Sequence, residues 1–238
     1  MNKPVLEVLE KSETLADRVR SAMRKALIEG AFAPGERIKI RDVAKSMGIS
    51  PTPAREALTT LIAEGALVED ENKTAVVPAL TRESLIEITE LRVALETTAA
   101  RLVLPLLTDQ DIEYIRSHDM TIVHAAGKHD MKSALRANAT FHFSIYRRLE
   151  APLILRMIET IWLRSGAYLS VAHNAFDVFQ KSGTKHQAIV EALRSRDAGK
   201  VAHAIEDDIR SSANVLIAGL DQHLSKIGGQ KAASHPDE

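Results

Sequence analysis

The sequence predicts a mainly α chain of two units, an N-terminal winged helix-turn-helix followed by an antiparallel all-α helical bundle. Three observations carry this. After Thr81 apolar residues recur at helical spacing almost to the end of the chain. Before it, two short helical stretches are joined by Gly48-Ile49-Ser50 and followed by two short apolar runs around a polar tip. The apolar content is aliphatic: 45% of the 238 residues are hydrophobic and only 4% aromatic, which suits helix packing.

Residues 1–11 read as a weakly structured lead-in, and Ser12 is placed to cap a first helix that carries Leu15, Val19, Met23, Ala26 and Leu27 and stops at Gly30. Ala33-Pro34-Gly35-Glu36 has the Pro-then-Gly order of a type II turn. Ile38 and Ile40 alternate with charged neighbours as a short strand would. A helix over about 41–47 buries Val43, Ala44 and Met47 and ends at Gly48. Ser50 stands at the next N-cap and Pro51 at the first helical position. The helix that follows runs to about Glu64 on an apolar face of Ala54, Ala57, Leu58, Leu61 and Ile62. Leu67-Val68 and Val76-Val77 flank the tip Glu69–Thr74 as a wing, and Pro78–Leu80 is a linker.

Six helices are expected beyond, over about 81–104, 108–126, 130–149, 152–173, 184–196 and 198–224, with Thr81, Thr108, Thr184 and Asp197 as N-caps. The expected division is 1–78, 79–226 and a disordered tail over 227–238. The chain has no cysteine, which excludes disulfides and thiolate metal sites and points to a reducing, cytoplasmic setting. No signal-like start and no apolar run of about 20 residues is present, so no membrane association is expected.

Net charge is −1, without the global basic bias common among nucleic-acid binders. Any affinity for DNA must rest on local charge. Such charge exists: Arg37, Lys39, Arg41, Lys45 and Arg55 surround the helix-turn-helix. The start of the second helix of such a unit enters the major groove. Ser50, Thr52 and Arg55 are its exposed residues, Arg55 suiting a bidentate contact to guanine. Arg41 lies near the groove edge, and Asn72 and Lys73 at the wing tip can reach the minor groove or phosphates. A generic three-helix unit with solvated charges is the alternative.

The run Ile28-Glu29-Gly30, Pro34-Gly35-Glu36-Arg37-Ile38, Asp42-Val43-Ala44, Met47 through Leu58, Leu61 and Glu64 through Val68 resembles the GntR family of bacterial regulators, over about residues 12–78. The resemblance implies a double-stranded DNA operator, palindromic and read by a homodimer, with base and phosphate contacts at Arg41, Ser50, Thr52, Arg55, Asn72 and Lys73. Pro51 stands where many members have Arg, which shifts the expected operator preference, and Thr74 stands where Gly is common.

In the helical half, polar residues interrupt the apolar stripes: Arg92 among Leu85, Ile88, Leu95 and Ala99; Asn138 and His142 among Met131, Leu135, Ile145 and Leu149; His186 beside Ile189 and Leu193; Asp208 among Val201, Ile205 and Val215. Burying such groups unpaired costs several kcal/mol each, about 2–7, so they meet one another, water, a metal or a ligand. Imidazoles with carboxylate and amide oxygens suit a divalent ion; a metal-free hydrogen-bonded network is the alternative. His124, His129, His173 and His203 read as surface residues.

Phe141-His142, Lys185-His186-Gln187-Ala188-Ile189, Glu191-Ala192 and Asp197-Ala198 resemble the FCD ligand-binding domain of the FadR subgroup, over roughly 81–222. That implies an FCD-like bundle in which a metal (Zn, Ni or Mn) sits on Asn138, His142, His186 and Asp208. Asn replaces the family's Asp at the first position, and Asp replaces His at the last. The resemblance also implies a small organic acid effector beside the metal. Arg92 is a candidate partner for its carboxylate, although an ion pair with Glu96 one turn on serves Arg92 equally well; Arg164 is a second candidate. The expected function is thus a ligand-responsive transcription regulator, a repressor rather than an enzyme. A metal-dependent enzyme fused to a DNA-binding module and a dimerisation adaptor are the competing readings.

Overall fold

The computed structural model describes residues 13–79, 81–171 and 175–233, with side chains over 13–79, 81–166 and 184–220. Ser12, Leu80 and His173 lie outside the described side chains. The first helix, α1 (Leu15–Ile28), is capped by Thr14, whose hydroxyl accepts from the Asp17 N–H while the Asp17 carboxylate accepts from the Thr14 N–H, a reciprocal capping box.

Gly35 takes φ +78°, as a type II turn requires of its third residue, and the Glu36 N–H donates to the Ala33 carbonyl at 3.0 Å. Strand β1 covers only Arg37–Ile38. Ile40 is not in it, because Lys39 already caps helix α2 (Ile40–Met47). Val43 and Ala44 are buried, but Met47, in the last turn of α2, is 37% exposed. Gly48 ends α2 with φ +65°.

Helix α3 (Pro51–Ala63) follows, with Ser50 at its N-cap. The Ser50 hydroxyl makes no capping bond. An N-cap side chain normally accepts from the second or third N–H of the helix, and here the third residue is Pro53, which has none. Strands β2 (Val68–Glu69) and β3 (Ala75–Val76) form the wing. The sheet order is β1-β3-β2, antiparallel, with Val76 opposite both Arg37 and Val68. Val19, Leu27, Leu58, Leu61, Leu67 and Val77 fill the core of this unit.

The helical half comprises α4 (Arg82–Val103), a 3-10 turn at Leu104–Leu106, α5 (Asp109–Gly127), α6 (Met131–Tyr146), α7 (Pro152–Val171), α8 (Ala175–Ser195) and α9 (Ala198–Ala233). Thr81 and Thr108 cap α4 and α5 with reciprocal boxes through Ser84 and Asp111. The Asp197 side chain accepts from the Gly199 and Lys200 N–H groups at the start of α9. Thr184 is not a cap: α8 begins at Ala175, because no proline interrupts 175–183 and the helix passes through Gly183. The last helix likewise runs past 224 to Ala233, into the stretch expected as a tail.

Helix α5 packs on α6 and α8, and α4 on α7 and α9. Their core is aliphatic apart from Phe141, Tyr146 and Trp162. No helix among the described residues is long and apolar enough to cross a membrane.

Candidate functional site

Two sites emerge from this fold, one on each half. Arg41, Ser50, Thr52, Arg55, Asn72 and Lys73 are all exposed. A groove of about 650 Å3 between α2, α3 and the wing is lined by Lys39, Arg41, Arg55 and Lys73, with Asp42 and Glu69 as its acids. The structure therefore brings Arg41, Arg55 and Lys73 to one basic groove, and it adds Lys39. Thr52 lies one turn before Arg55, and the uncapped Ser50 hydroxyl is free to bond outward.

Arg37, counted among the local cations, is instead paired with Asp70 at 2.9 Å. Asp70 builds the wing tip: its Oδ1 accepts from the Asn72 and Thr74 N–H groups, both at 2.9 Å. Those backbone bonds, with Arg37, hold its pKa below the usual aspartate value against the opposing effect of burial. Lys73 adopts φ +57°, so the left-handed residue of this turn is Lys73 and the glycine common at position 74 is not needed there.

The second site is buried. His142 on α6, His186 on α8 and Asp208 on α9 are 1%, 0% and 4% exposed, and each offers a ligand atom within 4.8 Å of the others. His142 Nε2 lies 3.3 Å from Asp208 Oδ2, and His186 Nε2 lies 3.7 Å from Asp208 Oδ1. His142 Nδ1, His186 Nε2 and Asp208 Oδ1 are buried without hydrogen-bond partners. A divalent ion bound about 2.0–2.2 Å from N and O ligands sets adjacent ligands about 3.0–3.5 Å apart, close to the spacings present. Of the orphaned atoms, His186 Nε2 and Asp208 Oδ1 lie within the cluster and are ones an ion would satisfy, whereas His142 Nδ1 faces Glu96 Oε2 at 3.7 Å. Asp119 on α5 lies 3.1 Å from His186 Nδ1, orienting the ring so that Nε2 faces the cluster. Burial raises the pKa of Asp208, but the two histidines and Arg92 outweigh it and the net shift is downward.

Asn138, one turn before His142 on the same face of α6, is half-buried, and its side chain makes no hydrogen bond among the described residues. Arg92 does pair with Glu96, Nε to Oε1 at 2.7 Å, and its guanidinium lies 4.3 Å over the Trp162 ring. Burial lowers the Arg92 pKa; Glu96 more than offsets this, and the net shift is upward. Arg164 is half-buried on α7 with Nε unpartnered, and no contact among the described residues brings it to the cluster. His124, His129 and His203 are exposed.

Asp119, Tyr146 and Trp162 were not among the expected site residues. Asp119 follows the rule that found the others, since it interrupts the α5 stripe of Ile112, Ile115 and Ile122. Trp162 is the lone tryptophan of the chain.

Residues 15–77 match the family "Bacterial regulatory proteins, gntR family", and residues 87–211, more than half of the chain, match the FCD domain. The chain belongs to the GntR family, with an FCD C-terminal domain. It is similar to the HTH-type transcriptional regulator McbR of Escherichia coli (strain K12), 29% identical over 87% of this chain and 94% of that protein. The solved structure of E. coli McbR/YncC superposes with a TM-score of 0.79 at 28% identity, covering 85% of this chain and 97% of that one. The probable D-xylose utilization operon transcriptional repressor of Paenarthrobacter nicotinovorans is 27% identical over 81% of this chain and 84% of its own length. For the gluconate operon transcriptional repressor of Bacillus subtilis (strain 168) the identity is 24% and the coverage 90% of each chain. This GntR member is a DNA-binding transcription regulator and not an enzyme.

Proposed function

We propose that this GntR regulator is a repressor that binds a palindromic operator as a homodimer through residues 1–78 and releases it when a small organic acid enters the FCD domain beside a divalent metal. The observation that supports the sensing half best is the charge of the buried centre. Glu96, Asp119 and Asp208 bring three buried carboxylates to it, and Arg92 is the one guanidinium in contact with them among the described residues. A divalent ion supplies the positive charge that the cluster lacks. His142, His186 and Asp208 would hold it, with Asn138 as an added oxygen; Zn, Ni and Mn all suit these donors. A metal is also what lets an acidic effector approach carboxylates at all. Arg92 bonds Glu96 through Nε, leaving its terminal nitrogens for the effector, with Arg164 as a second candidate. The names of two relatives carry a repressor role, and their operons serve a sugar and a sugar acid.

On the DNA side, Arg55 and Thr52 read bases while Arg41, Ser50, Asn72 and Lys73 position the backbone. Arg55→Ala is expected to abolish specific operator retardation, the loss of about 1–3 kcal/mol that one bidentate guanine contact carries, with unchanged circular dichroism and dimer mass. Normal binding by the variant would assign recognition elsewhere. Metal analysis of the purified protein is expected to give about one ion per chain, lost in His142→Ala, and chelation is expected to lower the melting temperature. A chain without metal whose melting does not respond to chelator would leave the metal-free network.

A further inference from the structure

A second concave site lies where α1 of the winged helix meets α5, α6 and α7, apart from both the recognition groove and the buried centre. It measures about 520 Å3, within the range of small-molecule pockets, and such pockets favour domain interfaces. Ile28, Ala139 and Phe143 give it an apolar floor, and Arg24, Lys25, Arg136 and Arg147 outnumber its acids, Glu29 and Glu159. The chain as a whole has a charge of −1, so this surplus is local.

How the cations are engaged decides what the groove can hold. Arg136 commits Nε and Nη2 to Glu29 at 2.8 and 3.2 Å. Arg24 bonds Glu64 at 2.6 Å and Glu159 at 2.7 Å. These pairs neutralise both acids of the groove. Arg147 gives one terminal nitrogen to Asp111 and lies 4.6 Å over the Tyr114 ring. Its Nε and its other terminal nitrogen have no protein partner among the described residues. Lys25 reaches Glu29 only at 4.0 Å and is 68% exposed. One cation from each domain thus keeps donors available beside an apolar floor.

We infer that this interdomain groove binds an amphipathic organic anion, a carboxylate on an aromatic or branched apolar body, with its charge on Arg147 and Lys25 and its apolar part on Phe143 and Ile28. Inorganic phosphate does not fit as well, because it would cover the apolar floor with a strongly hydrated ion. This site shares no lining residue with the proposed metal and effector site at His142, His186 and Asp208.

The test is calorimetric titration of the full-length protein with benzoate, cyclohexanecarboxylate and inorganic phosphate. Both carboxylates are expected to bind with Kd of about 1 mM or tighter, and phosphate about tenfold more weakly. Phe143→Ala and Lys25→Gln are each expected to weaken benzoate by about fivefold or more. Lys25 is exposed, so its substitution tests the site without threatening the fold. Saturable benzoate binding is expected to persist in chelator-treated protein and to remain sensitive to Lys25→Gln. Three results would overturn the inference: no saturable heat with either carboxylate; phosphate binding as tightly as benzoate, which makes the groove a charged patch only; or benzoate binding that is lost on chelation and unaffected by Lys25→Gln, which assigns the carboxylate to the buried centre.

Discussion

Glu96 on α4 ties α6 and α7 to its own helix in the FCD domain. Its carboxylate is fully buried and accepts from Arg92 Nε at 2.7 Å, the Tyr146 hydroxyl at 2.9 Å and Trp162 Nε1 at 3.0 Å. Burial first, and then the Glu96 charge, push the Tyr146 hydroxyl well above its ordinary pKa, so it stays a donor. Glu96→Ala strands Arg92 in a largely dry site and leaves two further donors unmet. Breaking a buried ion pair from one side costs about 3–5 kcal/mol, and the melting temperature of the variant is expected to fall accordingly, with Glu96→Gln falling less. An unchanged melting temperature would remove Glu96 from the structural centre. The one-turn spacing to Arg92 makes half of this arrangement legible in the sequence. The other half is not, since Tyr146 and Trp162 are 50 and 66 residues away along the chain and no local period records which helices will meet.

At the scale of elements, the helix starts are where sequence and structure agree most closely, because capping is chemistry within four residues. Thr81 and Thr108 are readable for that reason. Thr184 fails because a threonine after a glycine looks the same whether or not the preceding stretch is helical. The Thr108 cap also does more than start α5. The Asp111 carboxylate accepts from the Thr108 N–H and hydroxyl and binds Arg147 and Arg148 at the end of α6. Burial alone would raise its pKa; the Thr108 bonds and the two arginines reverse this and hold it well below the usual aspartate range. A depressed carboxylate contributes stability above its unfolded pKa, about 3.9, and loses it as pH falls through the folded value. Asp111→Asn is therefore expected to melt below the native chain at pH 7, and the gap is expected to close progressively below about pH 4. A gap that does not change with pH would assign the loss to packing instead of charge.

Over the whole molecule, α7 belongs to both halves at once. Trp162 bonds Glu96 and packs against His142, while its neighbour Leu163 is fully buried in the winged-helix core. One turn after Trp162, a Cβ on Gly166 would stand 2.1 Å from the Leu27 carbonyl oxygen and 2.7 Å from that of Ile28. Only glycine lets α7 come this close to α1. The Arg24–Glu159 and Arg136–Glu29 pairs flank the contact, and Arg136 shares α6 with His142. None of this could be read from apolar periodicity, in which Leu163 is one more stripe residue and Gly166 only a weak point costing about 1 kcal/mol against alanine. The clue is that the helix runs through Gly166 without breaking, so the residue serves packing. Trp162 touches the buried centre, Leu163 and Gly166 seat α1, and α1 packs on α3, so α7 is a contiguous physical link between the two halves. Gly166→Ala is expected to displace α1 from α7, since backbone carbonyls cannot swing aside as a flexible side chain would. Both cores are expected to survive, with helical circular dichroism unchanged, while operator affinity drops by about tenfold and its dependence on metal or effector is lost, on the scale of ordinary allosteric coupling. Native operator affinity with the native response would mean that the α1–α7 contact is packing alone and that the halves communicate by another route.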